Sequence, residues 1–242
     1  MTGILLEVCV EDAVGLACAI EGGADRIELC SALSVGGLTP SPGLMVMAGR
    51  LDIPVYAMIR PRPGNFVFDA NDIDVMRGDI DAARSAGLAG VVLGASLSDG
   101  SLDVATLELL TSHAAGLGLT LHRAFDLVPD FVSAVEIAID LGFERILTSG
   151  GAKTAPGAID ALTGIIASAN GRISIMPGSG VTLGSVGELL ARLPLSEVHS
   201  SCSRDEPAHD PRLVSLGFVA PSARRTDTVL VRALKARLKA VL

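Results

Sequence analysis

The chain has no tryptophan, one tyrosine and six phenylalanines in 242 residues. That leaves little material for a surface on which nucleic-acid bases could stack. Lysine is scarce as well: the three, Lys153, Lys235 and Lys239, lie where none points inward from an expected strand, which argues against Schiff-base chemistry. Basic residues are scattered and the formal net charge is −8. Polyanionic backbones and anionic membrane surfaces are repelled on average, so neither nucleic acid nor membrane is expected as a partner. Although 49% of the residues are hydrophobic, no uncharged apolar run approaches the roughly 18 residues of a membrane span. Met1-Thr2-Gly3 leads directly into Ile4-Leu5-Leu6, without the basic segment and small-residue cleavage site of a secretory signal. A cytoplasmic location is the expectation.

Cysteine is sparse too. Cys9, Cys18, Cys30 and Cys202 are too few and too irregularly spaced for a disulfide scaffold. The absence of any CxxC pair excludes a structural zinc finger. Reduced, partly buried thiols are expected. A glycine-rich dinucleotide fingerprint is also missing after the first strand, where the chain reads Glu7-Val8-Cys9-Val10-Glu11-Asp12. That disfavours a doubly wound open sheet, and no organic cofactor is implied.

What the sequence does contain is an alternation of short β-branched apolar runs with longer amphipathic segments. The runs lie at 5–10, 25–29, 54–59, 90–93, 119–122, 145–148, 172–176 and 197–200. The helical segments lie at 13–21, 44–50, 72–86, 103–115, 132–141, 158–168, 183–191 and 227–242. Glycines at 22–23, 87, 116 and 142 suit the left-handed caps that turn a helix back towards a sheet. Eight units of about 30 residues predict an α/β protein, a (β/α)8 TIM barrel of one domain over 1–242. The longest irregular stretches, 31–43, 60–71 and 201–224, follow strands and belong at the C-terminal mouth, where barrels carry their chemistry.

Side chains alternate along a strand. If the apolar set faces the helices, Glu7, Cys9, Arg26, Glu28, Cys30, Arg60, His122, Met176, Glu197 and His199 point into the barrel. Charges in such a place must pair, coordinate or titrate. An internal salt-bridge network would satisfy them, and so would a polar ligand site. Arg60 and Arg62 after strand three are candidates to grip an oxyanion. The turn Gly178-Ser179-Gly180 after strand seven, with His199 and Ser200 on strand eight, stands where many barrels hold phosphate. His122 and Asp126 form a candidate acid–base pair, with Glu7 and Glu28 as further candidates; equally, Asp126 can cap the following helix. Cys9, Cys30 and Cys202 end neighbouring strands, and soft thiolates favour Cu(I).

These residues also carry a resemblance. Glu7-Val8-Cys9, the run 22–30 ending in Glu28-Leu29-Cys30, and Gly36-Gly37-Leu38-Thr39-Pro40-Ser41 resemble the opening third of copper homeostasis CutC proteins. Ile59-Arg60-Pro61-Arg62, His122-Arg123-Ala124-Phe125-Asp126, Leu147-Thr148-Ser149-Gly150 and Glu197-Val198-His199-Ser200-Ser201 continue it to about residue 202. The resemblance implies a (β/α)8 barrel, a role in copper homeostasis and Cu(I) binding at Cys9 and Cys30; Cys202 has no counterpart in the pattern. Two functions stay open. One is a Cu(I)-binding protein using Cys9 and Cys30, with His199 or Met176 as further ligands. The other is a lyase- or isomerase-type enzyme, with a small anionic or phosphorylated metabolite held by Arg60, Arg62 and the 178–180 turn. In the enzyme, His122 would work with Glu7 or Glu28, or a hard divalent ion would sit on glutamate and His122. So apolar a chain with so small a surface is also expected to pair as a homodimer.

Overall fold

The computed structural model describes residues 3–208 and 210–240; the end of the expected last helix, 241–242, lies outside them. Eight parallel strands form the centre: β1 (Leu5–Val10), β2 (Arg26–Leu29), β3 (Val55–Met58), β4 (Gly90–Leu93), β5 (Gly118–Leu121), β6 (Arg145–Thr148), β7 (Ser174–Pro177) and β8 (Glu197–Ser200). Their order is β7-β6-β5-β4-β3-β2-β1-β8. The sheet therefore curls until β7 stands beside β8, and the hydroxyls of Ser174 and Ser196 meet near that seam at 3.3 Å. Among the described residues no paired register joins β7 to β8, so the barrel is nearly closed.

Helices α1 (Ala13–Gly22), α2 (Pro42–Ala48), α3 (Ala70–Ser85), α4 (Val104–His113), α5 (Phe131–Asp140), α6 (Ile159–Ala169) and α7 (Val186–Arg192) follow the first seven strands in turn. Aspartates start most of them: the carboxylates of Asp12, Asp69, Asp103 and Asp130 accept from amides of the first turn, replacing partners those amides lack within the helix. Gly23 closes α1 with φ +91°, a conformation that glycine adopts without steric cost. The core lies between sheet and helices, where Leu6, Val8, Val10, Ile27 and Leu29 are fully buried. This is the outward set that strand alternation requires.

The segment after β8 departs from the sequence reading, which treated 201–224 as irregular. An antiparallel hairpin occupies its two ends, β9 (Ser203–Pro207) and β10 (Ser222–Thr226), with the short helix α8 (Pro211–Ser215) in the arm between them. These strands lack the apolar alternation by which a strand is recognised. Cross-strand charge pairs such as Arg225–Glu206 at 2.8 Å support the ladder instead. Beyond the arm, α9 (Thr228–Lys239) returns to the barrel as its eighth outer helix and buries Val231, Leu234 and Leu238. It packs closely enough on α1 that a Cβ on Gly22 would fall 2.4 Å from that of Val231. No helix among the described residues is long and apolar enough to cross a membrane.

Candidate functional site

The barrel interior is layered. Near the N-terminal ends of the strands, Arg26 lies between two carboxylates: its Nε donates to Glu7 and its Nη2 reaches Glu197 at 2.5 Å. Arg145 also approaches Glu197, at 3.5 Å, and bonds Thr120 and Glu144. Tyr56 donates to Glu144 at 2.9 Å, with the Arg145 guanidinium 4.7 Å from its ring centre. Arg26, Glu7 and Glu197 are buried and mutually paired, with Arg145 half-buried and Glu144 exposed at the edge, so the layer is an internal network that fixes the barrel and covers the underside of the site. Arg145 and Glu144 escaped the sequence reading, because the alternation on strand six was never tied to an inward face.

One layer higher, register does the assembling. Cys9 stands opposite Glu28 across the β1–β2 ladder, and Glu7 stands opposite His199 across β1–β8. Donor atoms of Cys9, Glu28 and His199 consequently lie within 4.8 Å of one another, all buried. The His199 ring is oriented by Glu7, whose Oε1 is 2.8 Å from Nδ1, and its Nε2 lies 3.8 Å from Glu28. Burial alone would push the Glu7 carboxyl up, but the His199 hydrogen bond and the Arg26 charge bring it down to about 2. Burial likewise opposes a charged His199, yet the charges of Cys9 and Glu28 and the bonds to Cys9 and Glu7 raise it well above its ordinary value. Glu28 is raised, chiefly by burial.

Cys30 stands behind this group. Its thiol donates to Glu28 Oε2 at 3.5 Å, and burial, with the Glu28 charge added, pushes it well up. Cys202 is buried beside the same pocket, its amide bonded to the Ser200 hydroxyl.

Cys9, Glu28 and His199 open into a cavity of about 440 Å³ at the mouth, a size typical of small-molecule sites. Arg60, His122, Ser179, Gly180 and Ser200 share it. Arg60 is held by the carbonyls of Val35, Gly37 and Gly64 at 2.9, 3.0 and 2.9 Å, and lies over the Phe66 ring. Its guanidinium therefore ties together the loops after β2 and β3. The Nδ1 of His122 accepts from the Ala124 amide at 3.2 Å, which places the ring proton on Nε2. Burial, reinforced by Arg60, lowers His122 to about 3.

Other expected residues lie elsewhere. Arg62 pairs with Asp72 at 2.9 Å near the surface. Asp126 accepts from Thr148, Ser149, Gly151 and Arg123 and so fastens the loop after β6, while Asp130 caps α5. Gly178 gives space to Leu147, whose Cδ1 would be 2.4 Å from an added Cβ. The sequence did not single out the apolar walls, Leu33, Val35, Phe66 and Leu147, or the rim arginine Arg224, while Arg123 of the 122–126 motif also reaches the rim. Phe66 had a signal, lying in an irregular stretch after strand three; Arg224 had none without the hairpin.

Fold and site define a TIM-barrel protein with a buried thiol–imidazole–carboxylate cluster at its mouth. The CutC family model matches residues 4–204. A family protein CutC from Sinorhizobium medicae is 67% identical over 241 residues, covering all of this chain and 98% of the relative. One from Caulobacter vibrioides is 53% identical, covering 98% of each. The solved structure named as copper homeostasis protein CutC from Streptococcus agalactiae is 33% identical, with a TM-score of 0.78, covering 82% of this chain and 98% of that one. Thiamine phosphate pyrophosphorylase from Pyrococcus furiosus, at 14% identity and a TM-score of 0.60, shares the fold. The chain belongs to the CutC family.

Proposed function

We propose that this protein serves copper homeostasis by binding Cu(I) at the barrel mouth, through Cys9 and His199 with Glu28 beside them and Cys30 within reach. One observation carries the reading: three buried side chains of types that ligate metals converge within 4.8 Å. Thiolate and imidazole are donors that Cu(I) accepts. The Glu7–His199 bond of 2.8 Å fits as well, because a metal-bound histidine commonly donates its other ring N–H to a carboxylate. With Nδ1 so engaged, Nε2 is the nitrogen facing the cluster. The copper homeostasis name of the Streptococcus agalactiae protein supports the same role. A cytoplasmic location agrees with four cysteines that all stand free. We also infer pairing with a second copy through the arm, where Leu213, Leu216 and Phe218 are exposed.

The test is an anaerobic Cu(I) titration against a competing chelator. Wild type binds one ion tightly, and Cys9→Ser and His199→Gln each weaken it by at least about ten-fold. Sulfur and nitrogen both appear in the X-ray absorption spectrum of the bound ion. Affinity unchanged in Cys9→Ser would remove copper from this site.

A further inference from the structure

Three side chains at the mouth are nine-tenths or more buried and each leaves one polar atom without a partner: Glu28 Oε1, Arg60 Nε and His122 Nε2. Their exposures are 3, 5 and 3%. An unmet buried donor or acceptor costs about 1–3 kcal/mol, more when charged, so such atoms are rare singly and informative together. All three residues line the same cavity of about 440 Å³. Each is also held fixed by its other atoms. Arg60 is anchored by three backbone carbonyls, His122 by the Ala124 amide, and Glu28 accepts the Cys30 thiol. The orphaned atoms are thus preorganised: two donors, Arg60 Nε–H and His122 Nε2–H, and one acceptor, Glu28 Oε1.

We propose that this pocket binds a small hydroxy-carbonyl compound carrying an oxyanion, a hydroxy acid or a hydroxy-ketone phosphate. Its hydroxyl donates to Glu28, and its carbonyl or carboxylate oxygen accepts from Arg60 and His122. The neutral histidine matters here, since a fixed Nε2–H aims a donor at an oxygen without adding a buried charge. Leu33, Met58, Phe66 and Leu147 supply apolar walls for the carbon skeleton. Arg123 and Arg224 line the pocket with partly exposed guanidinium groups, each beside one aspartate, and give the oxyanion a positive boundary. The pocket shares Glu28 with the copper reading, whereas Arg60 and His122 lie outside the Cys9–Glu28–His199 group.

The experiment titrates copper-free protein, kept with a Cu(I) chelator, with dihydroxyacetone phosphate, glycerate and inorganic phosphate, read by calorimetry and by the imidazole ¹⁵N signals. Saturable binding of dihydroxyacetone phosphate or glycerate is expected, with a dissociation constant below about 1 mM. The stronger of the two tells whether phosphate or carboxylate is the preferred oxyanion. His122→Asn keeps an acceptor for the Ala124 amide but has no donor at the Nε2 position, and Glu28→Met removes the acceptor. Each weakens binding about ten-fold, while the His122 Nε2 signal moves on saturation in wild type. Inorganic phosphate binding as tightly as either organic probe overturns the hydroxy-carbonyl assignment. So do probes that fail to bind, and binding unchanged in both variants. Binding that appears only once Cu(I) is added makes the compound a metal ligand and also overturns it. Cu(I) affinity lost in Cys9→Ser with dihydroxyacetone phosphate affinity retained separates this pocket from the copper reading.

Discussion

His122 shows what burial does to one side chain, and the consequence is measurable. In the folded chain it stays neutral down to about pH 3, whereas once unfolded it takes up a proton near its ordinary 6.5. Between those values the unfolded state binds the extra proton, so this contribution to stability falls as pH falls. The slope reaches about 1.4 kcal/mol per pH unit. Glu7, with an ordinary value of 4.5 and a folded value of about 2, loses its own contribution only further into acid. Urea unfolding of wild type and His122→Asn between pH 6.5 and 4.5 therefore isolates the histidine. The wild-type profile is the steeper, and the two diverge by about 2 kcal/mol across the window. Parallel profiles would mean that His122 is protonated while folded. Strand alternation alone sends His122, Glu7, Glu28, Cys9 and His199 inward, so much of the cluster is legible in the sequence. The fate of Arg60 is not, because its carbonyl partners Val35, Gly37 and Gly64 sit on loops whose paths depend on the closed barrel. Alternation and the family resemblance pair Cys30 with Cys9, but the order Cys9–Glu28–Cys30 follows from side-chain direction at a strand end, which alternation does not fix.

At the scale of elements, the barrel floor depends on two neighbouring strands giving way to a ring. Tyr56 on β3 lies across β4 and β5 to reach Glu144, and a Cβ on Gly118 would meet its hydroxyl oxygen at 2.2 Å and its ring at 2.8 Å. Gly118→Ala is expected to cost about 1–3 kcal/mol through overpacking. Since the three nearest contacts of that Cβ are all with the Tyr56 side chain, Tyr56→Leu should relieve it. In urea unfolding the double variant loses less than the sum of the two single losses, a coupling of about 1 kcal/mol. Additive losses would show that the ring does not occupy this space in solution. The eight strands themselves were readable because each is a short apolar run between glycine and acidic caps. β1, β4, β6 and β8 fall at the residues expected, and the others differ by one or two at their ends. The hairpin was not readable, since β9 and β10 are charged and exposed on both faces and owe their existence to each other.

For the whole molecule, the barrel and the arm differ in how much of their apolar surface they bury. The family model covers the eight barrel strands and the first seven helices, through residue 204. The arm that follows carries hydrophobic side chains that stand exposed in a single copy. Leu216 is 69% and Phe218 75% exposed, on a segment whose charges are already neutralised locally by pairs such as Arg212–Asp210 and Arg225–Glu206. A chain of net charge −8 repels its own copies over most of its surface. An internally neutral, apolar arm is where that repulsion is least and where buried area can accumulate. Analytical ultracentrifugation should find wild type as a dimer and a Leu216→Glu, Phe218→Glu variant as a monomer. The substituted residues are largely exposed in the single chain, so the variant keeps the wild-type melting temperature of its isolated subunit, apart from what association adds by mass action. A wild-type chain that sediments as a monomer at all accessible concentrations would leave the arm without a second copy to meet. A dimer that survives both substitutions would move the contact to another face of the barrel.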